Sequence, residues 1–420
     1  VVQVRRVQIS LIVRVSVLLL VALPAIAATE SGAGQPPAAP EIVLSRGERI
    51  SSAIATITST AISPLLGVCL LGIYDYTRTP AAQRAALPFY GRPYFWIPIG
   101  ILLILIFLKD SIGSTAPLLK KPLDALEVLM LNKASLILLA FPVMLQQVAK
   151  LMGVKSIGGL ALLLIRAVEP VAHAADLSPI ASAGHAALAA VLVAAGFFVT
   201  FVVWLLGHSV DVLALLSPFP FVDLLLKGLR SATLLLVAGT ELIDWRFGLA
   251  ISLVVIGVSV LMFSWALRLA ILGALFAWDL IRLMFLGRRP ALDVQAPVLG
   301  FTAGKIRGLP RQTFGKLTRD ANGILEFRYR RLSFGPTRLI RLDDAVDYEL
   351  GRGLLYPSVV LPYEKGSKHI INFRLLPRYL GSESGVRATL GLGGIRDIRF
   401  TRGMRAFWRW AEGDVGNSPG

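Results

Sequence analysis

Seven ionisable side chains stand where apolar sequence would enclose them. Asp110, Lys120, Lys121 and Asp124 fall in FLKDSIGSTAPLLKKPLDAL, and Asp211, Asp223 and Lys227 fall in LGHSVDVLALLSPFPFVDLLLK, with His208 beside them. Ionisable groups next to hydrocarbon are expensive and ordinarily face a cavity, a partner or the interface, where a carboxylate binds cations, protons or a polar headgroup. Asp110, Lys120, Asp124, His208, Asp211 and Asp223 are therefore a candidate polar membrane site. The plainer reading stands beside it: the segments protrude into water or headgroups, and their lysines snorkel to solvated ends. Burial separates the two readings, since a site converges and a solvated segment scatters.

Other chemistry finds little support. There is no HExxH, Walker loop, dinucleotide fingerprint or paired CxxC. Gly207-His208-Ser209-Val210-Asp211 resembles a serine nucleophile turn on paper, but it lacks the closing glycine and the preceding strand. His173, His185 and His208 have no helical metal spacing, and Cys69 is the single cysteine. Gly391-Leu392-Gly393-Gly394 reads as a turn. The sequence thus offers no catalytic, metal or cofactor-binding residue. A second cluster, Arg328, Arg330, Arg331, Arg338 and Arg341, suits contact with anionic lipid at about 1 kcal/mol per residue near a charged leaflet. No separate aromatic stacking motif argues for nucleic acid, and a protein partner is unspecified.

The elements that must position these residues show a pattern of their own. At a constant offset of 98, Leu108/Leu206, Ser111/Ser209, Pro122/Pro220, Leu126/Leu224, Leu131/Leu229, Ala134/Ala232, Leu136/Leu234, Leu138/Leu236 and Ala140/Ala238 coincide. Two copies of an apolar helix, a broken polar segment and a second apolar stretch is a pattern seen at the binding sites of several transporter folds. Leucine-rich sequence also aligns with itself by chance, so both readings of the repeat (94–150 and 191–248) stay open.

The whole chain has 55% hydrophobic and 16% charged residues, where a soluble protein carries about 25% charged. It belongs in a bilayer. Residues 1–28 have secretory signal form: Arg5, Arg6 and Arg14, an apolar core, then Ala25-Ile26-Ala27. Residues 29–46 read as a disordered linker. About five spans are expected within 47–268: Ala53–Tyr74, Tyr94–Leu108, Ala134–Val148, Ala181–Leu206 and Leu249–Leu267. Residues 157–172 and 229–242 are ambiguous, and 269–294 read as an interfacial helix and linker. A helix continuous from Phe247 to Leu286 would be roughly 60 Å long. Arg78, Arg84 and Arg92, Lys150 and Lys155, and then Arg282, Arg288 and Arg289 mark the cytoplasmic side.

From Arg288 onward there are 23 Lys/Arg against 12 Asp/Glu, and the pattern becomes β-rich: GILEFRYRRLSF, RLIRLD, LLYPSVVL and KHIINFRLL alternate between turn residues. Residues 295–420 are expected to be a small, basic, cytosolic antiparallel β-domain, with MRAFWRWAEG as a closing helix. The fold class is therefore mainly α: a polytopic helical membrane domain of about five spans with two broken or re-entrant segments, then the β-domain.

TITSTAISPLLGVCLLGIYD, FLKDSIGSTAPLLKKPLDAL and SAGHAALAA resemble bacterial membrane proteins grouped as domain-of-unknown-function family 4126, over Ala53–Trp245. Where that family has Glu and Asp-Lys before the broken segment, this chain has Lys109-Asp110. The resemblance implies topology and no catalytic residue. The tail is similar to bacterial pleckstrin-homology-like domains by pattern alone. Together these readings give two expectations for a multi-pass inner-membrane protein: transport or permeation of a small solute or lipid, or a scaffold whose basic tail binds anionic lipid or a partner.

Overall fold

The computed structural model describes residues 45–113, 117–154, 156–168, 178–217, 220–286, 296–304, 306, 308–330, 335–342, 347–362 and 369–398. The signal, the linker as far as residue 44 and the closing MRAFWRWAEG helix lie outside them, whereas Ser45 and Arg46, expected in the linker, cap and begin the first helix. The chain forms two compact units. The first comprises the described residues of Val1–Lys120, Met130–Ala214 and Phe219–Phe263; the second those of Lys121–Leu129, Leu215–Pro218 and Ser264–Gly420.

The first helix, α1 (Arg46–Ile62), opens with a capping box: the Ser45 hydroxyl accepts from the Glu48 amide, and Glu48 accepts from the Ser45 amide. Its small residues let neighbours approach closely, and its hydroxyls turn back on the helix, Thr58 to the Ile54 carbonyl at 2.8 Å and Thr60 to that of Thr56 at 2.7 Å. The stretch Ala53–Tyr74, expected as one span, is two helices. Extended Ser63 ends α1, and Pro64 begins α2 (Pro64–Arg78). Proline has no amide hydrogen for the preceding turn, so the helix breaks there. The bend is tight: a Cβ on Gly67 would sit 2.8 Å from the Thr60 Cα. The loop after α2 is pinned by Tyr90, which is fully buried and whose hydroxyl accepts from Lys150 Nζ at 3.3 Å.

Among the described residues, four helices are long and apolar enough to cross a membrane: Pro93–Asp110, Lys121–Leu151, Gly184–Leu216 and Trp245–Phe285. The first lies in α3 (Pro93–Gly113). The second, α4, begins at Pro117–Leu126, passes through π-helical Glu127–Leu131, one α turn at Asn132–Ser135 and π-helical Leu136–Ala140, and closes as Phe141–Leu151. After α5 (Ile157–Val168), the third lies in α6 (Ser178–Leu216), and the fourth in α8 (Trp245–Leu286). Between them α7 (Pro220–Ile243) packs on α1. Helix α8 is continuous over 42 residues, so residues 269–286, expected as an interfacial helix and linker, prolong the helix of the last span. In the first unit, Ala55, Ala61, Ile62, Val203, Leu234 and Val237 form one core cluster, joining α1, α6 and α7.

Each polar segment holds the end of one helix and the start of the next, α3 ending at Gly113 before Pro117 of α4 and α6 ending at Leu216 before Pro220 of α7. The ionisable residues nevertheless lie within the helices rather than between them. Gly207 to Asp211 simply continue α6, and Lys109 to Ser111 continue α3. Pro122 lies inside α4 rather than ending it. These residues stay helical because their polar groups find partners, as Ser209 does on the Leu205 carbonyl at 2.8 Å.

In the second unit, eight strands form one sheet in the order β4-β3-β2-β1-β7-β6-β5-β8. They are β1 (Val298–Thr302), β2 (Phe314–Arg319), β3 (Leu325–Tyr329), β4 (Arg338–Arg341), β5 (Glu349–Arg352), β6 (Ser358–Pro362), β7 (His369–Leu375) and β8 (Ile395–Asp397). All pairs are antiparallel except β5 with β8. The sheet curls enough for Phe327 of β3 to meet Phe373 of β7, 4.9 Å between ring centroids with two strands intervening. A short helix, α9 (Glu383–Leu390), ends at left-handed Gly391, a conformation glycine adopts without a Cβ penalty.

Candidate functional site

Helix α6 carries Trp204, His208 and Asp211 at spacings of four and three, so the three share one face. All are buried, with Asp211 5% and His208 1% exposed. Helix α7 carries Asp223, Lys227 and Arg230 at the same spacings. These two polar faces, set in apolar helices, make a network in the first unit.

Its centre is Asp211. The Asp211 carboxylate accepts from Asn132 Nδ2 at 2.9 Å and from the Arg230 guanidinium. Arg230 Nε also donates to the Ile62 carbonyl at 2.8 Å. That carbonyl is free because α1 stops at the Ser63–Pro64 break, and a cation there is favoured by the negative end of the helix dipole. Gly207 permits the approach: a Cβ on it would sit 2.7 Å from the Ile62 oxygen. Asn132 occupies the single α turn between the π-helical stretches of α4, and such irregular turns recur at functional positions. Its carbonyl accepts from Trp204 Nε1 at 3.1 Å. The Trp204 ring stacks on His208 with centroids 5.0 Å apart and planes 5° from parallel. His208 Nδ1 lies 3.5 Å from Asn132 Nδ2, and Nε2 is buried without a hydrogen-bond partner among the described residues.

A second group joins α3 to α7. Lys227 Nζ lies 2.6 Å from Asp110 and 3.9 Å from Asp223, and Lys109 Nζ is 3.3 Å from Asp110. Asp223 is only 2% exposed.

Four of the six candidates are thus drawn into two groups, Asp211 with His208 and Asp110 with Asp223. Asp124 is buried in the stretch Lys121–Leu129 of the second unit. The Lys120 side chain lies outside the described residues. The solvated reading is overturned for Asp124, His208, Asp211 and Asp223, all of which are buried. Asn132, Trp204 and Arg230 were missed, although the spacing of Trp204 with His208 and Asp211, and of Arg230 with Asp223 and Lys227, was there to be read. Among the described residues no His, Cys, Asp and Glu side chains group as metal ligands.

The arginine cluster is divided. Arg328 and Arg341 flank buried Glu326 at 3.3 and 3.2 Å, and Arg330 donates to the Thr337 hydroxyl at 3.3 Å. Arg338 pairs with Tyr329 and takes the opposite sheet face, and Arg331 lies outside the described residues. No known protein family, curated protein or solved structure matches the chain.

Proposed function

We propose that the chain is a multi-pass inner-membrane protein whose helical unit binds a small polar solute at the Asp211–Arg230 centre and passes it across the bilayer. One observation carries the reading: a buried ion pair, anchored on the end of a broken helix, stands beside a histidine whose Nε2 has no protein partner among the described residues. A buried ion pair is weak evidence for stability, because hydrophobic residues of similar volume often serve as well. A permeation pathway gives these groups a use, since solute can exchange with the internal partners. The broken helix supports the same reading, because irregular backbone at membrane depth is tolerated where it is buried in protein or lines a cavity.

The positive-inside rule supports a cytoplasmic sheet domain. Arg78, Arg84 and Arg92 precede the first of the four membrane-length helices, and Lys150 stands at the end of the second with Lys155 just after it. Arg288 and Arg289 follow the fourth. Even numbers of crossings return the chain to one side, and these cations all fall on it.

The test is osmotic. Purified full-length protein in vesicles is challenged with potassium salts, amino acids, sugars and polyols, and swelling is followed by light scattering. At least one solute class should enter through the wild type and be excluded by Asp211→Asn. If no class enters faster than in empty vesicles, or Asp211→Asn leaves entry unchanged, the reading fails.

A further inference from the structure

We propose that the outer face of the sheet rests on the anionic headgroup surface of the membrane, through Lys316, Arg328, Arg330 and Arg341 arranged around Leu339. Strand register decides which residues share this face. Lys316 is opposite Arg328, which is opposite Leu339; Thr318 is opposite Glu326, which is opposite Arg341. Residues directly opposed across a sheet project to the same side, and alternation adds Arg330 two residues beyond Arg328. The other side carries Leu317, Phe327 and Phe373 and is the buried core. Arg338 belongs to that opposite side through its pairing with Tyr329, so it is excluded from the surface.

Lys316, Arg328, Arg330, Leu339 and Arg341 are all exposed. Among the described residues of this face, these four cations accompany one buried carboxylate, Glu326, which Arg328 and Arg341 contact. The excess of positive charge is complementary to anionic lipid. Leu339, at 45% exposure, is the side chain that would enter the headgroup layer.

The occupant is a bilayer because of where the membrane-length helix meets the sheet. Phe301, itself buried, pairs with Phe314 and with Arg374, which places Arg374 on the same side of the sheet as the cations. The Arg374 guanidinium lies 5.7 Å over the Tyr356 ring, and that ring meets Phe276 of α8 with centroids 6.0 Å apart. Helix α8 thus reaches the sheet on the side that carries the cations. Spread along strands rather than gathered round a turn, these cations make a contact selective for charge and indifferent to headgroup shape.

The experiment places an environment-sensitive fluorophore at Leu339→Cys in full-length protein whose buried Cys69 is replaced by Ala. The protein is put in nanodiscs of phosphatidylcholine, alone or mixed with phosphatidylglycerol or phosphatidylserine, containing lipids brominated near the carbonyl end. Quenching should be roughly twofold or more greater with either anionic lipid than without. It should fade as the Debye length shrinks from about 10 Å at 0.1 M salt to about 3 Å at 1 M. Lys316→Gln with Arg330→Gln, which leaves the Glu326 pairs intact, should return quenching toward the phosphatidylcholine level, and Arg338→Gln should not. Equal quenching without anionic lipid, insensitivity to salt, dependence on one headgroup alone, or a label that stays in water in every disc would overturn the proposal.

Discussion

The chemistry of the helical unit turns on what happens when one member of a buried pair is removed. Asp211→Leu removes the carboxylate that the Arg230 guanidinium donates to, and Arg230→Leu removes that guanidinium from Asp211. Each single change is expected to cost about 3–5 kcal/mol, whereas the double change, which removes both charges, should recover most of that loss. Thermal unfolding in detergent measures the cycle. Additive losses would mean that the two residues do not act as a pair. Asp211 and His208 were visible in the sequence as polar residues in an apolar setting. Arg230 was not, because a cation at the edge of LRSATLLLVA looks like a flanking charge until its side chain is seen to turn inward to Asp211. Asn132 is uncharged, and its role comes from a tertiary contact that no local pattern encodes.

At the scale of the helix, the glycines on the two sides of α7 behave differently. Gly207 of α6 faces the Ile62 carbonyl and the Arg230 side chain, whereas a Cβ on Gly228 of α7 would meet nothing within 4 Å. Gly228→Ala is expected to stabilise by about 0.8–1 kcal/mol through helix propensity alone. Gly207→Ala gains the same propensity but pushes α6 from the end of α1, and overpacking costs about 1–3 kcal/mol. A comparison of the two melting temperatures checks the prediction, and equal behaviour would show that the close approach has no energetic weight. Most elements were legible for local reasons. Alternation marked β3, β4, β6 and β7, and the apolar runs marked the four membrane-length helices. The helix break at Pro64 was missed because the run on both sides is uncharged and together long enough for one span. The interruption of each polar segment was legible, but Asp110 and Asp211 stay helical because their partners lie on other helices.

Across the second unit, one ion pair joins a membrane-length helix to a β-sheet. Arg378, in the short turn Pro377–Tyr379, donates from Nε to Asp279 Oδ2 at 2.6 Å and from its terminal nitrogen to Oδ1. That bond holds the Arg378 guanidinium above its ordinary pKa, and Asp279 is 2% exposed. Arg378→Gln is expected to cost about 3–5 kcal/mol, because it strands a buried carboxylate. Arg378→Lys should rescue only part, since a point charge cannot reproduce two parallel bonds. Loss of resistance to limited proteolysis within 296–398 reads both effects, and full rescue by lysine would show that charge alone suffices. The sheet's far edge carries a different implication. Strand β8 has three residues, and it lies in parallel along β5, whose last residue precedes it by 43 positions. At about 5–20 residues per second of synthesis, β5 emerges from the ribosome several seconds before its neighbour. For that interval its unpaired amides and carbonyls form an open template for another nascent chain, and the late, short β8 acts as the stopper that ends the exposure.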